Sequence, residues 1–269
     1  MSQTSIPIHI LVIDDDAMSR ELLAVLLEGE GYSVVSADSG DAALNLLRQG
    51  AQAPDVILTD LQMPGVSGGQ LATELRQVCE PVPLLLAMSG SQPSPSSLSQ
   101  FDSFLLKPFK VQQITNLVAD RRHAASVGIP TAQTASKPSM EVIAHELGSR
   151  SASNPTPVLN ETIYRQLAGT MPAPQLHEMY TMCLDDARER IDVMRGLAAA
   201  HDTARFVREA HAIKGSCGML GATQLHWMAA ELEKNGLEKP LAQTENEVNS
   251  LDELSAACDR LERMLGSRV

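Results

Sequence analysis

Three aspartates, a serine and a lysine each close a short apolar run, and their residue types suit one chemistry. Asp14 and Asp15 follow H-I-L-V-I, Asp60 follows V-I-L-T, Ser89 follows L-L-L-A-M, and Lys107 follows S-F-L-L. Clustered carboxylates repel one another and call for a cation, and all-oxygen ligation suits Mg²⁺ or Mn²⁺. A lysine and a hydroxyl on the same rim would neutralise and orient phosphoryl oxygens while an aspartate attacks, which is phosphoryl transfer onto a carboxylate. Taken singly, each has a plainer reading. Asp14 to Asp16 can cap a following helix, Ser89 can serve a turn, and a lysine before proline is commonly solvated. Their joint occurrence at four run ends in a consistent order favours a shared site.

A second centre is H-A-I-K-G-S-C-G-M-L-G, from His211 to Gly221. Phe206, Ala210, Ile213, Cys217 and Leu220 are spaced four-three-four-three and are expected to form one buried helical stripe. At about 100° per residue, His211 falls about 140° from that stripe and is expected to project outward, beside Lys214, Gly215 and Gly218. Glycines inside a helix cost about 1 kcal/mol each relative to alanine, so two on the histidine's face invite a reason. Gly215 removes a side chain that would hinder a partner, and Lys214 adds a charge able to steady a phosphoryl group or an acidic pocket. A lone surface histidine is the plainer reading. His177, His201 and His226 lack this setting and read as structural or solvated.

These residues need elements to hold them. Strand-like runs at 9–13, 32–37, 56–59, 84–88 and 103–106 alternate with amphipathic stretches at 19–27, 41–48 and 68–78, and 111–122 closes the series. That alternation predicts an α/β doubly wound five-stranded parallel sheet, whose reactive groups collect at the carboxyl ends of the strands. Residues 160–167, 174–200, 203–220, 223–235 and 241–265 carry only helical periods with short breaks, predicting an all-α four-helix bundle with one extra N-terminal helix. Residues 124–157 are interspersed with Pro130, Pro138, Pro155 and Pro157 and read as a flexible linker, spanning roughly 30 Å by random-coil scaling. A short helix over 140–147 is the alternative there, and a solvated segment is preferred. The expected division is therefore 1–123, 124–157 and 158–269.

The chain has 269 residues, enough for two cores, and 43% apolar with 20% charged residues argues against wholesale disorder. No apolar run approaches the roughly 18 residues of a bilayer span. The stretch from Met1 to Pro7 lacks the pattern of an export signal, so a cytoplasmic location is expected. Cys79, Cys183, Cys217 and Cys258 are scattered, which disfavours a zinc knuckle or a disulfide framework. The net charge of −12 divides into −7 for 1–123, 0 for 124–157 and −5 for 158–269, so direct nucleic-acid binding is not expected. With no P-loop, glycine-rich kinase loop or ATP-binding kinase core, the chain reads as a carrier rather than an enzyme, and its phosphate must come from another molecule.

Across residues 7–123 the chain resembles the response-regulator receiver family. The resemblance rests on Asp14-Asp15, the D-L-Q-M-P-G-V-S-G segment from Asp60, Ser89, and the K-P-F segment from Lys107. It implies that Asp60 is the phospho-acceptor, that Asp14, Asp15, Asp60 and the backbone carbonyl of Gln62 hold Mg²⁺, and that Ser89 and Lys107 contact the phosphoryl oxygens. Phe104 falls at the family's switch-aromatic position, without the hydroxyl of a tyrosine. Between Ser89 and Lys107 the chain is proline-rich and short for the family's fourth helix; Pro93 and Pro95 tolerate at most the start of one. Over roughly 158–269 the chain is similar to histidine-containing phosphotransfer domains, through A-H-A-I-K-G-S-C-G-M-L-G and Leu232-Glu233. That likeness implies that His211 carries phosphoryl groups at a ring nitrogen and that Lys214 and Gly215 shape docking. A sensor histidine kinase and a downstream receiver protein are the implied partners in a two-component phosphorelay. Two readings stay open beside it: a phosphorylation-switched binding module whose bundle docks or sequesters a partner, and a metal-dependent phosphohydrolase.

Overall fold

The computed structural model describes residues 8–90, 92–126, 156–237 and 244–268. Strands β1 (His9–Ile13), β2 (Ser33–Ala37), β3 (Val56–Asp60), β4 (Leu84–Ser89) and β5 (Ser103–Leu106) form one parallel sheet in the order β2-β1-β3-β4-β5. The continuous apolar runs of β1, β3 and β4 are explained by cover on both faces. Ile10, Val12, Leu58 and Leu86 pack with α1 (Ala17–Gly29) and α4 (Val111–Ser126). Their alternates Leu11, Ile13, Ile57 and Leu85 pack with α2 (Gly40–Arg48) and α3 (Gly68–Val78). Strand β2 lies at the edge, where Val35 is exposed. Asp16 caps α1 by accepting the Ser19 N–H at 2.8 Å, and Ser39 caps α2 through the Ala42 N–H at 3.2 Å.

The connection from β4 to β5 carries no helix among its described residues. It runs instead through tight turns, with Ser97, Leu98 and Phe101 N–H groups donating to the carbonyls three residues earlier. Pro93 and Pro95 remove donors, and the Ser94 hydroxyl accepts the Ser97 N–H, so local side-chain bonds replace a helical ladder.

After the described gap come α5 (Glu161–Thr170), α6 (Ala173–Ala199), α7 (Thr203–Met219), α8 (Thr223–Asn235) and α9 (Thr244–Gly266). The stripe of Phe206, Ala210, Ile213, Cys217 and Leu220 is fully buried, as its spacing predicts. All four cysteines are free and buried, but the scatter in sequence does not carry into space: the Cys183 and Cys217 sulfurs come within 3.7 Å in the bundle core. The expected short helix at 140–147, most of the linker, the first seven residues and the start of the last helix at 241 lie outside the described residues. Buried apolar residues of the α1 and α4 side of the sheet and of the bundle form one continuous cluster, so the two units pack directly on each other.

Candidate functional site

Strand register alone brings the first centre together. Ile13 pairs with Thr59, Asp60 with Met88 and Ser89 with Leu106, so residues ending β1, β3, β4 and β5 fall side by side. Asp14, Asp60, Ser89 and Lys107 are all buried there. Lys107 Nζ donates to Asp14 Oδ2 and to Asp60 Oδ2, each at 2.6 Å. Its backbone N–H also donates to the Ser89 carbonyl at 2.7 Å, which fixes the start of the side chain. The second Asp60 oxygen, Oδ1, accepts the Gln62 N–H at 2.7 Å.

The electrostatics follow from burial. Desolvation raises the Asp14 carboxyl above its usual range against the pull of Lys107, and the Asp60 charge adds to the rise. Burial works to neutralise Lys107, but Asp14 and Asp60 outweigh it and hold the ammonium above its ordinary value. Asp15 stands at the exposed rim, and partial desolvation followed by the Asp60 charge raises its carboxyl too. Gln62 is exposed, while Phe104 is half-buried on β5 opposite Ala87.

Among the described residues no group of three or more His, Cys, Asp or Glu is arranged as a metal site, and Lys107 occupies the space between Asp14 and Asp60. The donor chemistry nonetheless fits a hard divalent cation. These are oxygen donors only, and Asp14 and Asp15 each feel repulsion from Asp60 that such an ion would relieve.

The second centre departs from its expected exposure. His211 leaves the bundle stripe as predicted, yet its side chain is only 22% exposed, because α8 and the sheet unit cover it. His211 Nδ1 lies 2.6 Å from Glu233 Oε1. Although burial works to raise the Glu233 carboxyl, hydrogen bonds from His211 and Lys214 lower it, so it is a carboxylate and Nδ1–H is the donor. In the neutral ring that tautomer leaves Nε2 with its lone pair. Lys214 is buried rather than outward, donating to Glu233 Oε2 at 2.5 Å and to the Gly90 carbonyl at 3.1 Å. Gly215 faces α1, where a Cβ would meet the Ser19 hydroxyl at 4.0 Å. Gly218 has no room for a side chain: a Cβ would lie 2.6 Å from His226 Nδ1 and 3.1 Å from Pro108 Cβ. His226 is structural, its Nδ1 donating to the Lys214 carbonyl at 2.9 Å. Nothing local in the sequence marked Gly90 or Arg190, and Glu233 was marked only as the acid of Leu232-Glu233.

Residues 10–119 match the family described as "Response regulator receiver domain", and residues 178–266 match "Hpt domain". The chain is 35% identical over 117 residues to the transcriptional regulatory protein GlrR of Escherichia coli, covering 42% of this chain and 26% of that protein. It is 28% identical over 253 residues to the sensor protein GacS of Pseudomonas syringae, covering 91% of this chain and 26% of that protein. The chain thus spans about a quarter of the length of these curated relatives. Among solved structures, the response regulator TrrA of Thermotoga maritima is 30% identical, covering 42% of this chain and 97% of that one with a TM-score of 0.38. The chain joins a response regulator receiver domain to an Hpt domain, the paired modules of two-component phosphorelay signalling.

Proposed function

We propose that Asp60 accepts a phosphoryl group and that His211 carries one, in a relay fed by a sensor histidine kinase and drained by another receiver protein. The supporting observation is the Asp60 carboxylate itself: buried, fixed by Gln62 through one oxygen, and charge-balanced by Lys107 through the other. Such a carboxylate is preoriented, and Lys107 stands ready to follow the negative charge onto phosphoryl oxygens. Asp14, Asp15, Asp60 and the Gln62 carbonyl would hold Mg²⁺ or Mn²⁺, whose bound charge would screen the incoming phosphoryl group. Ser89 would donate to a phosphoryl oxygen, and Phe104 would report occupancy by changing its packing. On the bundle, Glu233 fixes the tautomer that leaves His211 Nε2 nucleophilic and stabilises the cationic ring formed on phosphorylation, while Lys214 and Gly215 shape docking.

This makes the chain a phosphoryl carrier with domains at 1–123 and 158–269 and a linker at 124–157. No helix among the described residues is long and apolar enough to cross a membrane. The test is radiolabel transfer from a phosphorylated sensor kinase to wild type, Asp60→Asn and His211→Gln, with and without Mg²⁺. Asp60→Asn should take no label, and His211→Gln should take label but pass none downstream. Passage of label by both variants at the wild-type rate would overturn the relay. The direct packing of the two domains also favours a second reading, a phosphorylation-switched docking module, for which His211→Gln would leave output unchanged.

A further inference from the structure

We infer that the receiver and the bundle of one chain form a closed pair, in which the receiver's own rim covers His211. Phosphoryl groups then pass between Asp60 and His211 within the chain, and other receivers are shut out until the pair opens. The inference rests on the relay reading and extends it to the chain's own regulation.

Shape carries the first part. Gly90 directly follows Ser89, and a Cβ there would stand deep inside the van der Waals radius of His211 Cε1 and 3.1 Å from Nε2. Gly90, Gly215 and Gly218 all lie on this seam, and none has the positive φ that would demand glycine for backbone reasons. Close approach of the opposite domain accounts for Gly90, whose bulkiest neighbours are His211 and Lys214.

Charge carries the second. Both domains are net negative, so their bulk fields oppose docking, and the contact must be local. It is local: the acidic loop after β1 meets cations of the bundle. Arg190 of α6 pairs with Asp16 and is held by Asp186 and Glu209 at 2.8 Å each. Lys214 of α7 reaches across to the Gly90 carbonyl at 3.1 Å. The Arg190 and Asp16 side chains are only 19% and 13% exposed, so this pair is sheltered from screening far better than a rim contact.

In transfer, the P–O bond to Asp60 breaks with its electron pair returning to the carboxylate, and the Nε2 lone pair forms the N–P bond. The Nδ1 proton stays on the ring, hydrogen-bonded to the Glu233 carboxylate, and the reverse step retraces this path. A tethered partner at an effective concentration of about 1 mM outcompetes a separate receiver at micromolar levels.

The test is a Ser19→Cys/Gly215→Cys pair in the Asp60→Asn chain. Oxidation should give a monomer-sized cross-link at every protein concentration, above the wild-type background from the four native thiols. The donor is a separate His211→Gln chain labelled at Asp60 with radioactive acetyl phosphate. The oxidised acceptor should take about tenfold less label than the reduced one, because the cross-link removes the open state that admits a separate donor. Gly90→Ala in the uncrosslinked Asp60→Asn chain should wedge the seam and raise label uptake several-fold. Cross-links found only between chains, equal labelling of oxidised and reduced acceptors, or no gain with Gly90→Ala would overturn the closed pair. An Asp60→Asn acceptor without the added cysteines that takes no label would instead sink the relay reading, while the cross-link reports the pair without phosphate chemistry.

Discussion

Lys107 is the cation on which the acidic rim depends, because it balances Asp14 and Asp60 where water does not reach. Lys107→Met should therefore cost about 3 kcal/mol in urea unfolding under a chelator, the scale of breaking a buried ion pair. Asp60→Asn should recover much of that loss in the double variant. Near-equal stability of Lys107→Met and wild type would remove this role. Glu233 acts on chemistry more than on folding. Glu233→Gln keeps an acceptor for His211 Nδ1–H but removes the charge, so phosphoryl uptake on His211 should fall about 30-fold for about 2 kcal/mol of lost charge-assisted hydrogen bonding. His226 gives a pH signature. Its burial lowers its folded pKa below the unfolded value of 6.5, so the folded state binds fewer protons. Its contribution is present above pH 6.5 and lost as pH falls through the lowered folded value. Wild type should lose urea resistance as pH falls below 6.5, and His226→Gln should lose less. At this scale the acids, Ser89 and Lys107 were legible because each ends or directly follows a strand, and His211 because it lies off the buried stripe of its helix. Asp16 was read as a cap, which it is; its pairing with Arg190 lies across 174 residues and leaves no local trace.

At the scale of elements, the strands were legible because burial on both faces demands continuous apolar runs, and the bundle helices because one buried stripe repeats along each. What periodicity could not show is the second surface of α7. Lys214, Gly215, Ser216 and Gly218 are buried although they are polar or small, because the receiver and α8 cover the face that a free bundle would expose. His211 is largely covered for the same reason, so its expected projection into solvent holds for the bundle alone. Gly218 makes the point testable. In an open helix face, Gly→Ala gains about 1 kcal/mol. Here the new Cβ would press on His226 and Pro108, so Gly218→Ala should lower stability by about 1 to 3 kcal/mol, as overpacking does. A stabilised Gly218→Ala protein would show that α7 is not enclosed on that side. The β4–β5 connection was legible in its prolines. Its turns replace a helix that the receiver resemblance would supply, so the surface there differs from the family's.

For the whole molecule, sequence spacing identified two centres but not their meeting, since contact between domains depends on surfaces that no single periodicity encodes. In the proposed relay, one phosphoryl group at a time occupies two chemically distinct atoms of one chain. Phosphorus NMR of the protein charged with acetyl phosphate and Mg²⁺ measures this directly. Wild type should show an acyl-phosphate and a phosphoramidate resonance, His211→Gln only the acyl phosphate, and Asp60→Asn neither. A phosphoramidate signal that persists in Asp60→Asn, or an acyl-phosphate signal in that variant, would contradict passage through Asp60 to His211.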